Sequence, residues 1–330
     1  MQDIKHTIIS WDCAYRNFFH LIDSLLNQNF PKNKFELIYV EQRTKKFANN
    51  FNHREGLKSL EDKYQEVKNK INIKIIYLNE DENQVYHLGK SNNAGLAIAR
   101  GKFISVMDGD QLVPNDFLVK LTEFYRKRPN AVINIYRKNA QYPVGVRSYK
   151  DWKNGIISFE KCLNACKEKN VAVPKKINNF GPMVSCAKKY WEKIDGYDTH
   201  ILWSTGLSKL AQDTTKRLEI ATGCKSIYLP DCFTVHPWHP IGIGAIRTQK
   251  DIKKYFSFQD KLTKWSVQYG EPSYKKRKKY ADIIYQKNKK IVDSIIYGDL
   301  NNKFKNVIPK DNIIKIKIAT KLCQIFHLFC

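Results

Sequence analysis

Short apolar runs that alternate with amphipathic stretches fill the first 135 residues and restrict what this chain can fold into. Apolar, β-branched runs at His6–Cys13, Phe35–Val40, Ile71–Leu78 and Phe103–Met107 predict four buried strands. Helical periodicity separates the strands, most clearly over Tyr15–Gln28. Strands spaced by helices of this length form a parallel sheet with right-handed crossovers. The sequence therefore predicts an α/β fold whose ligands bind at the carboxyl ends of the strands.

Beyond about residue 140 the alternation gives way to a loop-rich region, and from Ile241 the chain is helical and basic. The segments Phe180–Cys186 and Ser226–Val235 predict two more strands in the loop-rich region. We therefore expect one globular unit followed by a helical extension. The predicted units are residues 1–240, with halves 1–135 and 136–240, and residues 241–330.

A formal net charge of +25 narrows the classes of partner. The last 90 residues hold 20 Lys and Arg against seven acidic residues. Such an excess predicts an anionic partner, which is nucleic acid, a membrane surface or a phosphorylated substrate. The basic run Lys275–Lys279 and the mixed basic and apolar segment Ile313–Phe329 suit an anionic lipid surface. The alternative is a solvated helical face packed on the rest of the chain.

Targeting signals are absent from the sequence. No apolar run reaches the roughly 18 to 20 residues that span a bilayer, and the N-terminus lacks the pattern of a signal peptide. The eight scattered cysteines then predict reduced thiols rather than a disulfide framework. We expect a cytoplasmic protein that could lie peripherally at a membrane.

The segment Phe103–Asp110, FISVMDGD, carries the strongest chemical signal, because an apolar strand runs directly into two acids separated by one glycine. Carboxylates at the carboxyl end of a strand can reach a hard divalent cation and a nucleotide together. The alternative is an acidic turn that only ends the strand, since Asp and Gly are common turn residues. Asn93, Gly95, Ala99 and Gly101 precede the acids at fixed offsets and favour the first interpretation.

Together with its upstream helix, this segment resembles the nucleotide-sugar core of the family 2 glycosyltransferases, which have the GT-A fold. The resemblance covers roughly residues 5–240 and rests on Asn-x-Gly, Ala-x-Gly and Asp-x-Asp in that order. It implies a Rossmann-like, mixed and mostly parallel sheet flanked by helices, followed here by the basic helical extension. It also implies transfer of a sugar from a nucleoside-diphosphate sugar, foremost a UDP-sugar, to a hydroxyl group of a glycan or lipid-linked acceptor.

The same resemblance assigns residues to the donor and its metal ion. Asp108 would face the ribose or uracil, and Asp110 would bind a Mn²⁺ or Mg²⁺ ion that bridges the diphosphate. Glu41 matches a position that contacts the base, although Glu-Gln stands where the family more commonly has Asp-Asp. Trp11 could equally be a core residue of its strand. The other predicted donor contacts are Ser10, Trp11, Asn93 and Trp203.

The resemblance makes Asp213 the general base that deprotonates the acceptor hydroxyl, whose oxygen then attacks the anomeric carbon with inversion. A positioned base typically contributes ~10²–10⁴-fold to the rate. The family usually has Glu-Asp at this place, whereas Gln212 precedes Asp213 here, and the spacing from Trp203 is longer. The alternative role of Asp213 is an i,i+4 ion pair with Arg217 on an exposed helix.

Two histidines follow the last predicted strand, in the sequence VHPWHP. Related sugar-nucleotide enzymes place a histidine there as a third metal ligand, so we expect His236 to be a ligand. His239 would be an outer partner or touch phosphate. A zinc site with Cys224 and Cys232 is the alternative, although its spacing is not that of a finger or ribbon.

The family's processive synthases carry a Gln-x-x-Arg-Trp motif and several membrane spans, and this sequence has neither. The resemblance therefore implies transfer of one sugar or a short distributive run. Two rival classes stay open. One is a nucleic-acid-binding protein, for which no helix-turn-helix, ribonucleoprotein or zinc-finger pattern is found, so no nucleic acid is expected. The other is a catalytically inactive family member that acts as a scaffold.

Overall fold

The structure, a computed structural model, describes residues 4–12, 19–44, 60–80, 87–140, 158–204, 209–237 and 249–303. Within these residues, seven strands form one sheet. The strands are β1 (His6–Asp12), β2 (Phe35–Thr44), β3 (Ile73–Glu80), β4 (Phe103–Asp108), β5 (Ile133–Asn139), β6 (Met183–Ala187) and β7 (Ile227–His236). Their order in the sheet is β3-β2-β1-β4-β6-β5-β7, and β6 alone runs antiparallel to its neighbours. The predicted mixed, mostly parallel sheet is therefore confirmed.

Helices cover both faces of the sheet. They are α1 (His20–Leu26), α2 (Leu60–Val67), α3 (Leu88–Ile98), α4 (Phe117–Lys127), α5 (Phe159–Asn164), α6 (Lys188–Lys193), α7 (Leu210–Thr222), α8 (Gln249–Tyr269) and α9 (Lys278–Lys303). One face packs against α1, α2 and α4, and the other packs against α3 and α6 to α9. The result is a three-layer arrangement in which apolar strands are buried on both sides, as parallel sheets require.

The helix that precedes the acidic motif begins earlier than its apolar pattern predicts. The apolar pattern predicts a helix around Asn92–Arg100. In the structure α3 starts earlier, at Leu88, because the His87 side chain caps it and accepts a hydrogen bond from Gly89 N at 3.1 Å. Gly95 packs on the sheet, and a Cβ atom there would come within 2.6 Å of Ile9 Cγ2. The glycine therefore lets α3 approach β1 closely.

Strand β5 has no apolar run that would predict it. Its sequence INIYRKN alternates apolar and polar residues, and two of the polar side chains are buried. Asn134 Nδ2 donates to Met183 O at 2.9 Å, and Lys138 Nζ donates to Lys169 O at 2.8 Å. Specific hydrogen bonds thus compensate the burial of groups that a hydropathy pattern assigns to the surface.

The C-terminal helices pack on the sheet. Tyr255, Leu262, Ile284 and Ile296 from α8 and α9 are buried in the same apolar cluster as Ile9 of β1. Of the two interpretations of the basic region, packing on the core is therefore confirmed for this part, whereas the segment Ile313–Phe329 lies outside the described residues. No helix of the described part is long and apolar enough to cross a bilayer.

Candidate active site

Several predicted site residues meet at the carboxyl edge of the sheet. Trp11 on β1 is paired in register with Asp108 at the end of β4, and Glu41 on β2 is paired with Asp12. Trp11 is partly exposed there, and Glu41 is buried. The parallel strands thus bring Trp11, Glu41 and Asp108 to one edge, as the sequence predicts.

Asp110 and His236 lie side by side at this edge. Asp110 Oδ2 is 3.3 Å from His236 Nε2. Backbone hydrogen bonds fix the two segments, since Leu112 and Val235 exchange N–H···O bonds of 2.9 and 3.0 Å. Ala140 N also donates to His236 O at 3.0 Å. The two predicted metal ligands are therefore neighbours although they are 126 positions apart in the sequence.

A carboxylate oxygen and an imidazole nitrogen fit the predicted Mn²⁺ ion, and Mg²⁺ commonly takes one or two carboxylates together with substrate phosphates. No group of three or more His, Cys, Asp or Glu side chains that could hold a metal occurs among the described residues. Asp110 and His236 are thus an incomplete ligand set, which suits an ion that takes further ligands from a substrate.

The glycine between the two acids is closely packed. A Cβ atom at Gly109 would lie 3.0 Å from Tyr39 Oη and 3.1 Å from Ser10 Oγ. Gly109 O also accepts from Leu21 N of α1 at 3.2 Å. Ser10 is fully buried beneath this loop, and its hydroxyl has no hydrogen-bond partner. The expected contact of Ser10 with the donor therefore has no support in the geometry.

Asp108 is held by residues that the sequence does not single out. Its Oδ2 accepts from Gln111 Nε2 at 3.2 Å, and Gln111 Oε1 accepts from Thr234 Oγ1 at 2.5 Å. Arg137 Nη1 lies 3.7 Å from the same Asp108 oxygen. Burial, followed by the negative charge of Asp108, raises the pKa of Tyr197. Gln111 could have been found by its place beside the acids, but no sequence pattern marks Arg137. We call Asp108, Asp110, Arg137 and His236 the edge cluster.

Asn93 is hydrogen-bonded to the backbone of Tyr197. Its Nδ2 donates to Tyr197 O and its Oδ1 accepts from Tyr197 N, both at 2.8 Å. The neighbouring Gly196 has φ 74°, and a Cβ atom there would lie 2.5 Å from Asn93 Oδ1. Both ends of the Asn93 amide are thus used to fasten α3 to the turn at residues 195–198. These hydrogen bonds give Asn93 a structural role, and its expected donor contact stays a prediction.

Asp213 lies in the interior. It is fully buried, and its two oxygens accept four hydrogen bonds of 2.6 to 2.9 Å, two from Arg277 and one each from Arg217 and Thr263. Arg277 also donates to Asp198 Oδ2 at 3.1 and 2.6 Å. Burial alone would raise the pKa of Asp213. The guanidinium groups of Arg277 and Arg217 outweigh burial and lower this pKa to about 2. We call Asp198, Asp213, Arg217 and Arg277 the buried cluster.

This geometry favours the ion-pair interpretation of Asp213 over the general base. A base must come within hydrogen-bond reach of the hydroxyl that it deprotonates, and both Asp213 oxygens are already occupied. The pair with Arg217 is present, but on a buried face of α7 instead of an exposed one. Trp203, an expected donor contact, is also fully buried. The centroid of its ring lies 5.8 Å from Arg277 Cζ.

The zinc alternative has no support in the described residues. Cys232 is buried in the apolar cluster on the face of α1, α2 and α4, whereas Cys224 follows α7 on the other face. His239 lies outside the described residues.

The comparisons with known proteins agree with this fold. Residues 19–176 match the family model described as Glycosyl transferase family 2. The structure of S. aureus TarS 1–349 with UDP-GlcNAc is 16% identical, with 96% of this chain and 79% of that chain covered and a TM-score of 0.54. No curated protein matches the sequence.

Two other solved structures have lower TM-scores. S. aureus TarS 1–349 is 17% identical, with 71% of this chain and 60% of that chain covered and a TM-score of 0.49. The mannosyltransferase PcManGT from Pyrobaculum calidifontis is 15% identical, with 72% of this chain and 58% of that chain covered and a TM-score of 0.46. The chain spans about 60% of the length of the first solved structures that it matches. Residues 19–176 of this chain are thus similar to the family 2 glycosyl transferases, and the described residues share the fold of the TarS structure.

Proposed function

We propose that this chain transfers one sugar from a nucleoside-diphosphate sugar to a hydroxyl group of a glycan or lipid-linked acceptor, with the help of a divalent metal ion. The observation that carries the proposal is the contact of 3.3 Å between Asp110 and His236, at the sheet edge where a family 2 domain would receive its donor. A UDP-sugar is the first donor to test, because the similar TarS structure contains UDP-GlcNAc.

Each edge residue has a task in this proposal. Asp110 and His236 would hold Mn²⁺ or Mg²⁺, and such an ion supplies charge stabilisation for a diphosphate leaving group. Gln111 fixes the orientation of Asp108, which would face the ribose or uracil. Trp11 and Glu41 lie on the neighbouring strands and would line the base. These residues bind and orient the donor before any bond changes.

Inversion and the general base are finer proposals, and both derive from family resemblance. The occupied oxygens of Asp213 weigh against it as the base, and substitution tests this directly. If Asp213 is the base, Asp213→Asn retains donor binding and normal thermal stability but loses transfer. If it is structural, the same variant loses stability, and transfer falls only with the folded fraction.

Calorimetric titration of the full chain with UDP, with and without Mn²⁺, tests the proposal. We expect the wild type to bind UDP in a metal-dependent way and Asp110→Asn to lose that dependence. Asp116→Asn is the matched control, because Asp116 is a partly exposed acid that pairs with Lys120 at the start of α4. A wild type that binds no UDP or GDP in the presence of metal would overturn the proposal.

A donor-binding protein without transferase activity is the second candidate, and the occupied oxygens of Asp213 favour it. A panel of UDP- and GDP-sugars separates the two candidates. An active enzyme hydrolyses or transfers at least one donor slowly even without its acceptor. An inactive binding protein binds a donor and leaves all of them intact.

Contact with an anionic membrane would bring a lipid-linked acceptor to the site. The lysines of the run Lys275–Lys279 are exposed, whereas Arg277 within the same run is buried. Sedimentation with vesicles that contain an anionic lipid tests this contact, since neutral vesicles should bind far less of the chain.

A further inference from the structure

Arg137 is placed to bind an anion at the edge of the sheet. It lies on β5, paired in register with Thr234, two residues before His236 on β7. Its Nη1 is 3.7 Å from Asp108 Oδ2, which is longer than a hydrogen bond. The side chain is 25% exposed, so part of it can be reached from outside.

The donors of Arg137 are less fully used than those of the two fully buried arginines, Arg217 and Arg277. Its Nε is buried and has no hydrogen-bond partner. Arg217 and Arg277, by contrast, donate to carboxylates, carbonyls and hydroxyls at 2.6 to 3.4 Å. A guanidinium group has five N–H donors, and leaving a buried one unsatisfied costs free energy. Arg137 therefore retains capacity for an acceptor supplied from outside the chain.

Asp108 does not provide that acceptor at close range. Gln111 Nε2 donates to Asp108 Oδ2 and to Pro182 O, both at 3.2 Å. This is the same Asp108 oxygen that lies 3.7 Å from Arg137 Nη1. Thr234 Oγ1 in turn donates to Gln111. The fully buried Gln111 thus holds the carboxylate in place, with a gap between it and the guanidinium group.

We propose that Arg137 binds a phosphate oxygen of the donor's diphosphate group, an inference that rests on the proposed function. Arginine suits phosphate because its planar fork can donate two parallel hydrogen bonds to neighbouring oxygens. The diphosphate must lie beside Asp110 and His236 to share their metal ion. Arg137 reaches the same edge from the adjacent strand and adds positive charge where the leaving group accumulates negative charge.

Calorimetric titration with uridine, UMP and UDP in the presence of Mn²⁺ tests this inference, with wild type, Arg137→Gln and Arg137→Lys compared. Arg137→Gln should weaken UDP binding about 10-fold or more, as expected for a charge-assisted hydrogen bond, and leave uridine binding unchanged. Arg137→Lys should fall between the two, because a lysine is a point charge without the planar fork. Arg128→Gln is the matched control, since Arg128 caps the far end of α4.

Equal UDP affinity of the wild type and Arg137→Gln overturns the inference, as does a parallel loss of uridine and UDP affinity, which would show that Arg137 acts only through Asp108. If UDP affinity is unchanged and the KM for an anionic acceptor rises, Arg137 serves the acceptor, and the inference is wrong. A wild type that binds no UDP instead refutes the proposed function itself, so the two failures are distinguishable.

Discussion

The edge cluster and the buried cluster each combine two carboxylates with two basic side chains, yet they differ in how closely the members pair. In the buried cluster the ion pairs measure 2.6 to 2.9 Å, and three of its side chains are 0% exposed. In the edge cluster the pairs measure 3.3 and 3.7 Å, and exposure ranges from 9% to 25%. In the buried cluster the opposite charges neutralise one another, and the ion pairs join distant parts of the chain. The edge cluster is the one that we propose takes up a cation and a diphosphate, and the two clusters differ as a structural and a binding cluster would.

Removing Arg277 should have the largest effect on stability. Arg277→Met keeps an apolar stem but leaves Asp198 and Asp213 buried without their shared cation, a loss that typically costs about 3–5 kcal/mol. Urea unfolding measures the change. Lys279→Met, an exposed position of the same basic run, is the control and should stay within ~0.5 kcal/mol of the wild type. A loss below about 1 kcal/mol for Arg277→Met would contradict a structural role of the buried cluster.

Acid should weaken the buried cluster in a defined pH range. The pKa of Asp213 is lowered from 3.8 to about 2 on folding, so its contribution is present above pH 3.8 and is lost as pH falls towards 2. A shift of this size corresponds to roughly 2 kcal/mol. The free energy of unfolding of the wild type should therefore fall more steeply between pH 4 and 2 than that of Asp213→Asn. Parallel curves would show that Asp213 has an ordinary pKa.

Changing the edge cluster should alter binding and leave the fold intact. His236→Gln should weaken Mn²⁺-dependent UDP binding by at least ~10-fold. Loss of a residue that only supports a metal ligand already costs about 10-fold in metal affinity, and loss of a ligand itself should cost no less. The midpoint of thermal unfolding should stay unchanged, because His236 is not part of the apolar core. Unchanged UDP binding at all Mn²⁺ concentrations would remove His236 from the proposed ligand set.

The smallest effect is expected at Ser10. Its buried hydroxyl has no hydrogen-bond partner, so Ser10→Ala removes an unsatisfied polar atom from beneath Gly109. Stability should change by less than ~0.5 kcal/mol, and UDP affinity should stay the same. A clear loss of UDP affinity would restore the donor contact that the sequence predicts for Ser10.

The position of Asp108 and Asp110 at the edge of the sheet was predictable because it follows from local sequence patterns. Apolar runs predict β1 to β4, and parallel strands place their carboxyl ends together, so Asp108 and Asp110 follow from where one strand stops. The convergence of Asp110 and His236 follows from the resemblance, which supplies the order of the later elements. Arg137 could not be found this way, since β5 has no apolar run, and its Asn134 and Lys138 side chains are buried through hydrogen bonds to distant backbone atoms.

The role of Asp213 was not predictable because its partners are remote. Arg217 lies one helical turn away and was recognised, but Arg277 is 64 positions along the chain. Arg277 also stands among four lysines in KKRKK, where charge alone assigns it to solvent. Burial is decided by tertiary packing, and no local pattern distinguishes this arginine from its neighbours.

The packing of α8 and α9 has a consequence for how the molecule opens. These helices bury their apolar side chains in the cluster that covers one face of the sheet, and Arg277 joins them to α7 through Asp213. Segments that share a core and a buried ion pair open together, with the free energy of global unfolding. Amide hydrogen exchange in α8 should therefore be as slow as in β1 and β4. We therefore expect the cooperative folding unit to extend well past residue 176, where the match to the family model ends.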